Sequence, residues 1–450
     1  MTSRISRRAL VQGGAWAAPV VLASAAIPAY AASPTAACIS FKDSVDTAVV
    51  AGDGTMTTSE ITVPDGVFRV EFSITGGGGG MSHTSAPGGS GATITGVVKV
   101  LPGQKLKFYG GSGGIGYGTA PAEGGKGFNN GGSALESAMP DYPTNWTFLG
   151  KTYDLTDIFT SHSATVLERY GASGGGSSAV TLVDASGKET VVAIAGGGGG
   201  GGYGENIAQV ATGSSDNLDA QWNPTNDAPS GGNAGNTAQN GEPVRFTYKN
   251  FPAISANVTG GKGAGVRGTV GTAASAAQPS GGIGLNTTTD WEYATQFKLG
   301  QGVIGKTSST VPSASNPGGQ GADGAGAWSW SMPYRGTEDL VTADMQADHY
   351  RRGRMVGSGG GGGYGGGGSG AAVVTTPHRV NGGFYEGKKS KLAYSSITVA
   401  SGGGGAGGSY VNTDLLDATQ PVTVSTSGNG ATAVGVRATA TRNTYALCEK

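Results

Sequence analysis

Enzyme chemistry needs nucleophiles, bases and metal ligands at workable spacings, and this chain offers few. The four histidines, His83, His162, His349 and His378, are scattered, and none belongs to a His-Glu-x-x-His pair. A Ser-His-Asp set is not excluded by spacing, because its members lie far apart in sequence. There is no Gly-x-Ser-x-Gly elbow in a strand–turn–helix context. Asp43, Asp46 and Asp53 lack the order of a calcium-binding loop. Glycine runs can cradle phosphate, but here none ends in Gly-Lys-Ser/Thr or leads into a helix pattern. Two cysteines and four dispersed histidines do not make a zinc site. The expectation is a protein with no catalytic residues, no metal and no cofactor.

Recognition chemistry is better represented. Trp328-Ser329-Trp330-Ser331-Met332-Pro333-Tyr334 is compact and aromatic, and Trp146, Trp222 and Trp291 sit in polar Asn/Thr-rich segments. Exposed Trp and Tyr give large contact area at low entropy cost and stack on sugars. Trp328, Trp330 and Tyr334 are therefore candidate ligand contacts. The competing reading folds these rings inward as small cores under their own loops. The basic cluster Arg351-Arg352-Gly353-Arg354 reads as a solvated loop.

The first 31 residues read as an address. A weakly apolar stretch from Ala9 to Ala26 follows Arg7 and Arg8, and Ala29-Tyr30-Ala31 is a small-x-small cleavage site. Ser6-Arg7-Arg8-Ala9-Leu10 resembles the motif of a twin-arginine translocation (Tat) signal. That resemblance implies export to the cell envelope or the medium, with a mature start at Ala32. Removing three arginines from the 29 basic residues leaves 26 against 30 acids, a net of −4. Such a surface argues against nucleic acid or an anionic membrane as partner. No later stretch is apolar enough to span a membrane. Cys38 and Cys448 lie near the two ends of the exported chain. Paired, they would close a loop of about 410 residues, a closure with an upper bound of about 5 kcal/mol. Two free thiols are the alternative.

Glycine decides the fold class. There are 87 glycines in 450 residues, about 19% against a usual share of about 7%. They do not recur at every third position along the whole chain, which excludes collagen. Many follow an apolar strand pattern directly: 67–75 leads into Gly76–Gly80, 190–195 into Gly196–Gly202, and 396–400, after Ser401, into Gly402–Gly405. Further strand candidates are 92–100, 105–109, 179–183, 422–426 and 432–438. Pro102-Gly103 and Ala185-Ser186-Gly187 read as hairpin turns. A short helix is expected over Leu340–Tyr350, capped by Thr337.

A flexible linker would not start at the end of a strand each time. Ordering glycine costs more backbone entropy than ordering any other residue, so an ordered run must gain something specific. Glycine can adopt the left-handed helix of three residues per turn, whose amides and carbonyls point outward. Several such helices can bond into a lattice that Cβ atoms would block. Gly318, Gly321 and Gly324 are spaced by three, with Gln320, Ala322 and Asp323 at positions free of a neighbour.

The strand ending in Phe72-Ser73-Ile74-Thr75-Gly76, the Pro102-Gly103-Gln104 turn, and the later runs Gly359–Gly363 and Gly402–Gly405 resemble a glycine-rich domain family. It includes the extracellular glycine-rich domain of the anaplastic lymphoma kinase and leukocyte kinase receptors and many bacterial surface proteins. Similar lattices occur in some phage tail adhesins. The resemblance covers about 60–440. It implies a mainly β fold, with antiparallel, sandwich-like strands around a bundle of polyglycine helices and little α-helix. With the leader (1–31) read from its own motif, the expected division is an N-terminal segment (32–59), one domain (60–440) and a tail (441–450). Polar insertions at 133–170, 203–258 and 285–356 depart from the family, so its ligand contacts do not transfer. The expected function is a non-enzymatic secreted or cell-surface scaffold that presents loops to a surface protein or a glycan. A matrix component without a discrete ligand and an extracellular hydrolase are the alternatives.

Overall fold

The computed structural model describes residues 49–51, 54–82, 86–148, 151–156, 165–210, 222–226, 228–248, 251–258, 293–298, 300, 302–305, 319–335, 339–340, 351–376, 378–380, 392–438 and 441–448. These form a mainly β protein. The strands of the first half are β1 (Val49–Ala51), β2 (Thr57–Thr62), β3 (Arg69–Thr75), β4 (Ala92–Lys99), β5 (Lys105–Gly110), β6 (Asn145–Phe148), β7 (Lys151–Asp154), β8 (Thr165–Tyr170), β9 (Ser178–Val183), β10 (Glu189–Ala195) and β11 (Tyr203–Val210). Next come β12 (Trp222–Asn226), β13 (Val244–Tyr248), β14 (Phe251–Val258), β15 (Tyr293–Lys298), β16 (Gly326–Arg335), β17 (Asp339–Leu340) and β18 (Arg351–Val356). The last are β19 (Ala372–Thr375), β20 (His378–Val380), β21 (Leu392–Ser401), β22 (Tyr410–Val411), β23 (Thr423–Thr426) and β24 (Thr441–Cys448). Helix among the described residues is limited to single turns, such as Glu136–Ala138 and Thr413–Leu415.

Two five-stranded sheets, β1-β24-β3-β4-β23 and β2-β5-β9-β10-β22, share one apolar core. Alternation dictates this. Val70, Phe72 and Ile74 of β3 are buried while Glu71 is exposed, and Leu106 and Phe108 of β5 are buried while Lys105 is exposed and Lys107 and Tyr109 are half-buried. Phe108 stacks on Tyr445 across the two sheets, with ring centroids 5.3 Å apart. A second core joins the sheet β15-β16-β18-β8 to the sheet β11-β21-β19. It contains Leu167, Ala327 and Met355 from the first, and Tyr203, Val374, Ile397 and Val399 from the second. Segments read from sequence as insertions therefore supply much of this second pair: β8 lies in 133–170, β11 in 203–258, and β15 to β18 in 285–356.

Glycine runs join the two pairs of sheets. Residues 171–177 run from β8 to β9, 196–202 from β10 to β11, and 402–409 from β21 to β22. The run 196–202 is enclosed by backbone. Gly197 and Gly200 donate to the carbonyls of Gly362 and Gly359, and Gly198 and Gly201 to Gly77 and Gly80. Gly199 and Gly202 donate to Gly232 and Pro229, and all six bonds are 2.7–3.0 Å long. Its carbonyls accept with the same spacing: Gly197 and Gly200 from Gly407 and Gly404, Gly198 and Gly201 from Gly175 and Ala172, and Gly196 and Gly199 from Ala92 and Gly89. Six backbone segments are met, each by residues three apart. Gly321 and Gly324 follow the same period, donating to Asn130 and Ser133. Gln320 and Asp323 are exposed as expected, while Ala322 is buried; Gly318 lies outside the described residues.

Several sequence expectations need correction. Pro102-Gly103 is a turn, with Gly103 at φ +82°, but it carries the chain from one sheet to the other instead of closing a hairpin. The turn at 185–187 does close the β9–β10 hairpin. Thr432–Ala438 is a turn and coil segment whose backbone bonds to Gly114 and Gly116 instead of to a strand. The strand sits further on, where a tail was expected. Leu340 belongs to β17, and 341–350 lies outside the described residues.

An ion pair between half-buried Arg69 and buried Asp417 ties the first sheet to the segment before β23. Asp417 accepts from the Thr419 amide and hydroxyl at 3.0 and 2.7 Å and sits 3.0 Å from the Arg69 guanidinium. Burial pushes its pKa up, but the Thr419 bonds, Arg69 and Lys99 together hold it below the usual carboxylate value. A depressed carboxylate pKa contributes stability that is present above the unfolded-state value and fades as pH falls through the folded one. Asp417→Asn is expected to cost about 1–3 kcal/mol at neutral pH, since the charge-assisted bonds weaken. Unfolding midpoints taken as pH falls below about 4 should then decline less steeply in the variant than in the wild type.

Candidate functional site

A group of charged and aromatic side chains lies on one face of β16, β18 and β8. Antiparallel register sets Trp328 opposite Arg354 and Trp330 opposite Arg352, and the parallel β18–β8 pair sets Arg354 beside Glu168. Alternation then puts Trp328, Trp330, Arg352, Arg354 and Glu168 on the same side. Ala327, Met355 and Leu167 point the other way into the second core. Gly353 sits between the arginines because a Cβ there would come within 2.8 Å of Val374 and 2.9 Å of Ile397 on the facing sheet. The basic cluster is thus a strand, where the sequence read as a loop.

Tyr142 covers this face. Its ring receives the guanidinium carbons of Arg354 and Arg352 at 5.6 and 5.8 Å, and meets Trp328 edge-on at 6.0 Å. Arg354 Nε donates to Glu168 Oε1 at 2.9 Å, and Nη2 donates to the same oxygen. The Tyr170 hydroxyl donates to the Glu136 carboxylate. Burial raises the Tyr142 pKa well above the ordinary phenol value, although both arginines pull it down. Burial also raises Tyr170, with the bond to Glu136 adding to it. Behind the sheet, Arg169 clasps Glu205 through Nε at 2.5 Å and Nη2 at 3.2 Å, and the Tyr203 hydroxyl donates to Glu205 at 2.7 Å. Burial, then that bond, pushes Tyr203 up to about 12. Each carboxylate named here is held by a guanidinium or a phenol that stays protonated at neutral pH. The arrangement orders strands: the Tyr142 ring lies against both guanidinium groups, and Arg354 is also engaged by Glu168.

The predicted contacts fall as follows. Trp330 is fully buried and Trp328 is 9% exposed, so both belong to the packed face and are not offered on a loop. Tyr334 is in β16, with its side chain outside the description, as are those of Trp146 in β6 and Trp222 in β12. Arg7, Arg8, Ala29, Ala31, Cys38, Trp291, His83, His162 and His349 lie outside the described residues. His378 is in β20 and Cys448 ends β24. Among the described residues no three or more His, Cys, Asp or Glu converge as a metal site would require. None of their helices is long and apolar enough to cross a membrane.

Sequence reasoning missed a set of polar side chains that stand in for peptide groups at the margins of the glycine runs. Asn429 accepts from the Gly91 amide at 2.8 Å and donates to the Gly76 carbonyl at 2.9 Å. Asn233 accepts from Ser90 at 2.7 Å. Ser173 both accepts from and donates to Ile115 backbone at 2.9 Å. An amide side chain carries the same donor and acceptor as a peptide, so Asn flanked by glycine, as in Gly428-Asn429-Gly430, was the available signal.

No family model matches the chain, and no curated protein matches it.

Proposed function

We propose that this chain is an exported, non-enzymatic scaffold, secreted or held at the cell surface, that presents its outer segments for adhesion or ligand binding. The observation that carries the reading is the enclosure of Gly196–Gly202 by six backbone segments with a three-residue period. We take each run to be a polyglycine helix of the left-handed, three-residue kind, and the facing sheets to be sandwich layers around their bundle. This is the architecture that the resemblance to the receptor glycine-rich domains implies. A core of bare backbone leaves little side-chain chemistry inside and a rigid platform outside. Partners on this reading are a surface protein or a glycan, and the mature net charge of −4 disfavours nucleic acid. A glycan array and a cell-binding assay with the mature protein test it. Binding in either supports adhesion, and silence in both overturns it.

Two further tests address export. Arg7→Lys combined with Arg8→Lys is expected to trap the precursor inside the cell, as seen by fractionation, while the wild type appears outside with Ala32 as its first residue. The exported protein is also expected to carry a Cys38–Cys448 disulfide. Intact mass should then be two hydrogens below the reduced value, with both cysteines in one linked peptide after digestion. Two alkylatable thiols in the native protein would refute the pairing.

A further inference from the structure

The last strand of the chain is an interior strand. β24 lies between β1 and β3, pairing its first residues with Val49–Ala51 and its later ones with Arg69–Ser73. It also reaches the other sheet of the core. Tyr445 stacks on Phe108 of β5, and Leu447 packs against the same core. Asn443, 1% exposed, accepts from the Thr75 amide at 3.0 Å and donates to the Tyr109 carbonyl at 2.9 Å. Thr75 ends β3 and Tyr109 is the penultimate residue of β5. One side chain therefore pins the two places where a strand of each sheet hands over to a glycine run, 76–80 and 111–118. The approach to β24 is fixed as well. Ala438 and Gly435 donate to Gly114 and Gly116 at 3.0 and 2.7 Å, and Arg437 donates to the Gly113 carbonyl at 3.0 Å. Two residues, 439 and 440, separate that anchor from the strand, so β24 docks on its own chain.

We propose that β24 is a closing latch: the sheets and the glycine lattice they flank lock together only when residues 441–448 have docked, so a chain without them stays open and is not exported in folded form. The physical reason is the order of the sequence against the order of the sheet. Without β24, β3 has a bare edge, β1 has no partner in that sheet, and the Thr75 and Tyr109 backbone groups lack their bonds to Asn443. Unpaired backbone groups next to glycine, whose ordering is already costly, leave the runs without a fixed starting point. The export half of the proposal rests on the twin-arginine reading, since that route carries folded chains.

The test uses the full chain with a protease site in place of residues 439–440. The protein is folded, cut, denatured with reductant so that no Cys38–Cys448 bond retains the cut segment, freed of that segment, and refolded with or without a synthetic peptide of residues 441–450. Amide exchange in 196–202 is expected to be slow before denaturation and after refolding with the peptide, and to lose its protection without it. Equal protection without the peptide overturns the latch. In cells, the full precursor is expected outside and the chain lacking 441–450 inside. Equal export of the two overturns the coupling. If the full precursor still leaves a host without the twin-arginine translocase, the export reading fails and the refolding result alone decides the latch.

Discussion

Alanine at Gly199 is expected to lower the stability of this protein by about 3 kcal/mol, the upper end of what an added methyl costs in a closed interior. A Cβ there would fall 2.0 Å from the Gly404 carbonyl oxygen. No shift of the run relieves that contact, because Gly199 is held from other sides too. Cβ atoms built on Gly79 and Gly231 would each come within 1.9 Å of its own carbonyl oxygen. The clash is with backbone on every side, and backbone in a hydrogen-bonded lattice cannot rotate away as a side chain can. Gly66 is the control. Its φ of +85° is equally suited to glycine, but nothing lies within 4 Å of an added Cβ. Gly66→Ala should therefore show conformational strain alone, about 1–2 kcal/mol. Urea midpoints of the two variants separate close approach from strain. Equal losses would mean that the lattice gives way around Gly199, and the argument for a backbone core would fail.

The same geometry explains what was readable in advance. The strand 69–75 was legible because one face is buried and the other is not, so the sequence alternates. The strand 189–195 was legible instead as a short β-branched run, and its residues 191–195 are buried on both faces. The runs were legible because a position that meets three or four backbones admits only glycine. Positions in the same runs that face a gap or an apolar core take other residues, as at Ala406, whose methyl joins the first core. The facing of the aromatic segment was not legible. Trp328 and Trp330 alternate with serines, and that pattern serves an exposed recognition strand or a covered one equally well. Tyr142, nearly two hundred residues earlier, settles it by covering the arginine face. Thr432–Ala438 was misread because its β-branched residues imitate a strand while its backbone is engaged by Gly114 and Gly116. The tail was misread for the opposite reason. Thr441–Cys448 has a weak apolar pattern, interrupted by Asn443, and that asparagine is buried because it completes two backbone bonds of other strands.

Asn443 carries the second large expectation. Asn443→Ala should cost about 2–6 kcal/mol, because the Thr75 amide and the Tyr109 carbonyl would each lose a buried partner at about 1–3 kcal/mol apiece. A small cavity alone would produce a loss, so the discriminating variant is Asn443→Asp, which keeps the volume. An ionised carboxylate can still accept from the Thr75 amide, but it offers no proton to the Tyr109 carbonyl and places a buried charge against a carbonyl oxygen. Both effects disfavour the charged form and raise the folded-state pKa above the unfolded one. Between those two values the native state holds the extra proton, so stability falls as pH rises through that window. The aspartate variant should therefore be weak at neutral pH and recover on acidification, when its hydroxyl can donate to Tyr109. The wild type lacks this dependence over the same range, because the contribution of Asp417 fades only below about pH 4. Unfolding midpoints for the two proteins, measured from neutral to mildly acidic pH, should converge. Parallel curves would mean that Asn443 does no more than fill space, and that the pin between the two sheets lies elsewhere on β24.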